Sequence, residues 1–189
     1  RQVCELRALA GARLVQTLPQ LDEVAHVHLF DVREVSGGRH RLRHLVVDAL
    51  PQPVDGEAFL PPERRAAVRG MLRFGKYKPA GRSKPSSEYL LAAALEGDFP
   101  LVSSAVDVNN AVSLEWGLPA SIFDLALCGS ELLLRRGRLG ESYVFNPSGQ
   151  SIDLEDLVCV CRRTASGWEP CGNTVKDAMA TKVAAASTS

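Results

Sequence analysis

The run from Val102 to Asp124, VSSAVDVNNAVSLEWGLPASIFD, constrains the chain most, because it marks both ends of a helix. Ser104 and Asp107 stand at the Ser-x-x-Asp spacing of a capping box, Gly117 supplies a C-terminal stop, and Pro119 forbids continuation. Asn109 and Asn110 lie in the middle of this helix. Asparagine amides compete for backbone groups, so two in one short helix cost stability unless their side chains are used. Either they contact a ligand, or one faces water and the other ties down a loop. Val108, Ala111, Val112 and the stem of Glu115 are expected to share the apolar face. Asn110 would then point from a neighbouring face into a concavity, which Ser121 approaches from just beyond the stop.

The rest of the chain reads as α+β. Residues 3 to 18 carry Val3, Leu6, Leu9, Ala10, Leu14 and Leu18 at helical spacing, closed by Pro19. Strand patterns over 24–32 and 42–50, joined by Ser36, Gly37 and Gly38, predict a hairpin. A proline-rich connection, residues 51–62, leads to a helix over about 63–73 with Pro62 in its first turn. KPSSEYLLAAALEG predicts another helix, ended by Gly97. Beyond the central helix the period becomes two, with strands near 122–127, 131–136, 141–145, 151–154 and 157–162, and one more from Trp168. Turns are expected at Gly137–Gly140 and Asn146–Gly149. No repeat or linker divides the chain, so one domain over 1–189 is expected.

With 46% hydrophobic and 23% charged residues, the composition is that of a globular protein. No apolar run reaches the length of a membrane span and the first twenty residues are charged, so a soluble cytoplasmic protein with no membrane association is expected. Arg1 is no natural start and the Ala/Ser/Thr tail ends abruptly, so further residues are expected at both ends. The net charge is zero, yet Arg64, Arg65, Arg69, Arg73, Lys76, Lys78, Arg82 and Lys84 follow one another without an Asp or Glu. A concentrated positive stretch on a neutral protein suits a polyanion, and Phe74 and Tyr77 within it offer stacking faces to unpaired bases. Arg69, Arg73, Lys76, Lys78, Arg82 and Lys84 are the RNA-binding candidates. The alternative is a solvated face.

The sequence contains no P-loop, no Gly-x-Gly-x-x-Gly and no His-Glu-x-x-His, and no cofactor is expected. His26, His28, His40 and His44 share the predicted hairpin, but no carboxylate or cysteine accompanies them at useful spacing, and no metal is expected. Cys4, Cys128, Cys159, Cys161 and Cys171 form no CxxC pair and are read as reduced thiols, with Cys159 and Cys161 on one face of a buried strand.

The stretch VDVNNAVSLEWGLPASIFD resembles, without a gap, part of the B3/B4 domain of the bacterial phenylalanyl-tRNA synthetase beta subunit, and ELLLRRGRLGESYVF follows the same pattern. KPSSEYLL, YVFNPSGQ and VKDAMATK are similar to free-standing bacterial proteins built on that domain, so the resemblance covers residues 84–183. It implies a layered β-sandwich with helices on one side, tRNA or aminoacyl-tRNA as partner, and hydrolysis of mischarged aminoacyl-tRNA in trans. In the synthetase domain a helix Asn and a His at the start of the next strand hold the aminoacyl end, and a late Glu recognises the tyrosine hydroxyl. Carried over, the Asn is Asn110, the His position holds Ser121, and the Glu position falls near Ala185. With that Glu absent, tyrosine discrimination is not carried over. An ester activated by a vicinal ribose hydroxyl needs a positioned water and an oxyanion donor, which makes Asn110 and Ser121 the catalytic candidates. Asn109, Lys176, Asp177, Thr181 and Lys182 are the substrate-binding candidates, with Asn173 beside them. Two readings compete: an RNA-binding module with a degenerate site, and a small-molecule-binding domain.

Overall fold

The computed structural model describes residues 60–183 together with the backbone of β1, Arg13–Thr17. The expected hairpin with its four histidines, most of the proline-rich connection and residues 3–12 of the expected first helix lie outside the described residues. Arg13–Thr17 corrects that helix, because it is a strand pairing in parallel with residues 131–134. Its RLVQT sequence includes β-branched Val15 and Thr17, and ladder partners from far along the chain decide between two patterns that a short apolar run fits equally.

Among the described residues after β1 are three longer helices, α1 (Pro62–Leu72), α2 (Ser86–Leu95) and α3 (Ser104–Trp116). A four-residue helix, α4 (Leu125–Cys128), precedes five strands: β2 (Glu131–Arg136), β3 (Ser142–Val144), β4 (Ser151–Asp153), β5 (Val158–Thr164) and β6 (Gly167–Asn173). The architecture is α+β, as expected. The described residues divide into two compact units, one holding β1, Phe74–Tyr77 and Phe123–Lys182, the other holding residues 60–73 and Lys78–Ile122.

In the helical unit, Leu60, Leu91, Ala94, Phe99 and Leu114 are buried together, with Leu90, Leu95, Val108 and Ala111 packed against them. Each large side chain so buried contributes about 1.5–3 kcal/mol. The stop of α3 is tied into this core. Gly117 has φ 66°, and a Cβ there would stand 2.5 Å from Leu60 Cδ1, so only glycine fits. Its carbonyl accepts from the buried Ser87 hydroxyl at 3.1 Å. The cap of α3 lies one residue before the expected one: the Ser103 side chain accepts from Val106 N, and Asp107 Oδ1 accepts from the backbone N–H groups of Val102 and Ser103. Asp107 is a turn inside the helix, and from there its carboxylate reaches back to donors ahead of the first turn.

The other unit holds a sheet in the order β1-β2-β5-β6, with β2, β5 and β6 mutually antiparallel, and a separate hairpin of β3 and β4. On β2, Leu132, Leu133, Leu134 and Arg135 are all buried. This replaces the expected alternation, because both faces of the strand are covered. The strand expected over 122–127 is also corrected: Asp124 accepts from Ala126 N at 2.9 Å and caps α4, which Gly129 ends at φ 77°. Pro170, which cannot donate to a ladder, lies on the terminal strand β6. The register shifts there, since Val160 pairs with Gly172 and Cys161 with Pro170.

One ion pair closes the β2–β3 turn. Arg135, 3% exposed, donates to both Glu141 carboxylate oxygens at 2.7 and 2.6 Å, and Glu141 also accepts from Arg138 N. Burial alone would raise the Glu141 pKa, but the Arg135 and Arg138 donors outweigh it and hold the carboxylate below its ordinary value. A depressed carboxylate stabilises the fold fully above its unfolded pKa and loses that contribution as pH falls through the folded value. Glu141→Gln should therefore cost about 3 kcal/mol at neutral pH, because it strands a buried guanidinium. Urea titrations of wild type and variant should converge towards low pH; a constant difference across the acid range would contradict this role.

Candidate functional site

The two asparagines of α3 have separate roles. Asn109 Nδ2 donates to Ala120 O at 3.4 Å, which ties the segment after the helix back onto it. Ser113 Oγ fixes the same segment by donating to Leu118 O at 2.6 Å. Asn110 is half-buried, and among the described residues its amide has no hydrogen-bond partner. It lies three and four residues before the buried Ser113 and Leu114, so it shares their side of the helix. Val112 and Trp116 are exposed, at 42% and 62%, and Glu115 is exposed too. Val108 and Ala111 pack as expected, but the face continues through Ala105 and Leu114, and Val112 and Glu115 lie outside it. Ser121 is half-buried in the segment that Asn109 and Ser113 anchor.

The segment 173–182 belongs to the sheet unit. Asn173 Oδ1 accepts from Val175 N and Lys176 N at 2.7 and 2.9 Å, while its Nδ2 donates to the Tyr143 hydroxyl. Tyr143 in turn donates to Lys176 O at 2.7 Å. Burial, with the Asp177 charge behind it, drives the Tyr143 pKa upward, so the phenol stays a neutral donor. The sequence reading missed Tyr143; its only signal is the Asn-x-x-Lys turn it braces. Lys176 lies over the Phe145 ring at 4.1 Å, and Lys182 Nζ donates to Phe145 O, so both ammonium groups meet at one surface residue. Asp177 is half-buried beside Gly172, where a Cβ would stand 2.7 Å from Asp177 Oδ1 and 2.5 Å from Phe123 Cζ. Thr181 is fully buried, and its hydroxyl donates to Cys171 O at 3.2 Å. Of the four candidates in this segment, Lys176 and Lys182 are brought together and Thr181 serves the core.

The basic stretch is less uniform than its sequence. Arg69 makes a bidentate pair with Glu88 at 2.7 and 2.6 Å. Lys76 pairs with Glu155 at 2.9 Å while its backbone N–H donates to Asp156. Tyr77 is buried, which removes it as a stacking face, and the exposed Phe74 ring lies 4.6 Å from the Arg136 guanidinium. Arg73, Lys78 and Arg82 are exposed and make no ion pair among the described residues; Lys84 lies over Tyr89 at 4.3 Å. Cys4 lies outside the described residues; the other four cysteines are core residues, with Cys128, Cys159, Cys161 and Cys171 buried, and burial pushes the Cys159 thiol up to about 12 and Cys161 to about 11. Among the described residues, no group of three His, Cys, Asp or Glu could hold a metal ion, and no helix is long and apolar enough to cross a membrane.

No curated protein matches the chain. The B3/4 domain family matches residues 75–187, more than half of the chain, and the match contains the 84–183 span of the resemblance along with Asn109, Asn110, Ser121 and the 173–182 segment. Such domains are found in phenylalanyl-tRNA synthetase beta subunits, which suggests a tRNA-related function. With its α+β architecture and a match across α2, α3 and all the strands from β2 to β6, the chain belongs to the B3/4 domain family.

Proposed function

We propose that this B3/4 protein binds tRNA and receives the aminoacyl end against the Asn110 face of α3, where a mischarged ester is hydrolysed in trans. The observation that carries the reading is Asn110 itself: a mid-helix amide on the packed side of α3, half-buried and without a partner among the described residues. Such a group costs stability and is retained where a ligand uses it. The segment bearing Ser121 is held against α3 by Asn109 and Ser113, which suits it to a positioning role.

The chemistry asks little of the protein. A water held by the Asn110 carbonyl oxygen attacks the ester carbon, the acyl C–O bond breaks, and the ribose oxygen leaves with a proton passed through its vicinal hydroxyl. The products are the free amino acid and uncharged tRNA. Donors near the carbonyl oxygen, from the Asn110 amide, Ser121 or backbone N–H groups, stabilise the charge that develops there. A second reading, a tRNA-binding module without hydrolysis, is favoured by one observation: Ser121 stands at the position where the resembling editing domain has its His.

Binding should be strongly salt-dependent. Arg73, Lys78, Arg82 and Lys84 remain available for phosphates once the pairs of Arg69 and Lys76 are set aside, and four phosphates give a slope of about −3 to −4 in log affinity against log salt. Glu at Arg73, Lys78 and Arg82 together should weaken all tRNAs alike, since phosphate contacts do not read sequence. Affinity that is flat with salt would exclude the RNA reading.

Asn110→Ala should slow deacylation, or weaken aminoacyl-end binding, by about 1–3 kcal/mol with general tRNA affinity unchanged. A deacylation screen over mischarged tRNAs measures this directly. Wild-type protein that binds tRNA but releases no amino acid from any of them supports the second reading.

A further inference from the structure

Helix α1 carries a built groove that the B3/4 match, which starts at Gly75, does not include. Arg65, Arg69 and Arg73 follow one another at intervals of four residues, and Pro62, Ala66 and Gly70 form a parallel row of small side chains beside them. Together the two rows line a concavity of about 350 Å³. Four residues of helix rise by about 6 Å, so the arginines are spaced as a short cationic ladder along an apolar floor.

The three arginines are not equivalent. Arg69 is held in the wall by its bidentate pair with Glu88, which fixes the side of the groove and leaves no net charge there. Arg65 and Arg73, one on either side of it, have no carboxylate partner among the described residues. Arg65 Nε is withdrawn from solvent and has no acceptor, an orphan donor of the kind that an absent anion would satisfy. Gly70 is a second anomaly. It sits inside α1, where glycine is disfavoured, yet a Cβ there would meet nothing within 4 Å, so no packing in the fold requires it. The absence of a side chain keeps the floor of the groove open.

We propose that the α1 groove takes one unpaired nucleotide of a bound RNA, with the phosphate between Arg65 and Arg73 and the base on the floor of Pro62, Ala66 and Gly70. The volume is at the lower end of small-ligand pockets, the scale of a single nucleotide. Guanidinium groups match phosphate geometry and stack on base planes, and only an unstacked base can reach an apolar floor, so single strands are favoured over duplexes. This rests on the RNA reading above and assigns it a subsite on a helix outside the family match.

The test compares wild type, Gly70→Leu and the double variant Arg65→Gln/Arg73→Gln. A short single-stranded RNA and a duplex of the same composition are titrated by fluorescence anisotropy at several salt concentrations. A Cβ at Gly70 would meet nothing within 4 Å, so Gly70→Leu extends a side chain over the open floor and removes a helix-disfavoured glycine; it should melt no lower than wild type while binding the single strand at least tenfold more weakly and the duplex unchanged. The double variant should weaken single-strand binding and flatten its salt slope by about 0.7, the value for one phosphate of a single strand. Wild-type affinity of Gly70→Leu for the single strand would overturn the groove while leaving tRNA binding in place. Displacement of the RNA by a polyglutamate peptide from wild type but not from the double variant would assign the groove to an acidic protein partner and overturn it as well. A wild-type protein that binds neither RNA would remove both this subsite and the function it rests on.

Discussion

The sheet unit depends on a single buried charge being answered. Arg135 lies on β2 between β1 and β5, where water cannot solvate its guanidinium, and both Glu141 carboxylate oxygens accept from it at the end of the five-residue β2–β3 turn. That turn is itself crowded: a Cβ on Gly137 would stand 1.8 Å from the Leu154 carbonyl oxygen. Glu141 O accepts from Leu154 N, and Gly137 N donates to Leu157 O, so the turn, the β3–β4 hairpin and the start of β5 are fastened to one another through it. A buried pair of this kind adds little net stability against an apolar substitute, but once present it specifies one arrangement, because every other leaves the charge unpaired.

Local signals in the sequence located the elements well wherever the chain decides its own conformation. Pro62 opens α1, Gly97 and Gly117 end α2 and α3 in left-handed geometry, and β2 occupies the residues expected of it. The errors came where distant residues decide or where a run is too short to show a period. Arg13–Thr17 is a strand because β2 offers it a ladder, and Leu125–Cys128 is helical because Asp124 caps a run too short to show a period. The asparagine pair was legible as a question; the answer, Asn109 on Ala120 and Asn110 unused by the fold, required the backbone beyond the helix.

The basic stretch makes the same point in electrostatic terms. An acid-free run of eight cations suggests one surface, but Glu88 and Glu155 approach from outside the run and neutralise Arg69 and Lys76. Net charge along a sequence is a one-dimensional quantity, while a ligand meets the field in three dimensions. The cations left over are the ones that a polyanion would meet. Four-residue spacing of the arginines was present in the sequence throughout, and it placed Arg65 with Arg73 once α1 was known to be helical.

The thiols of the sheet unit have a consequence for kinetics. Cys159 and Cys161 on β5 and Cys171 on β6 are sealed from water; burial holds the protons of Cys159 and Cys161 on well above neutral pH, and the hydrogen bond with Cys128, then burial, does so for Cys171. A thiol reagent needs a thiolate and a path to it, and the native sheet provides neither. Alkylation of these sites therefore proceeds only through transient opening of the β5–β6 ladder. The protein carries its own clock for that opening, which reads the local stability of the strands leading to the 173–182 segment without any added label.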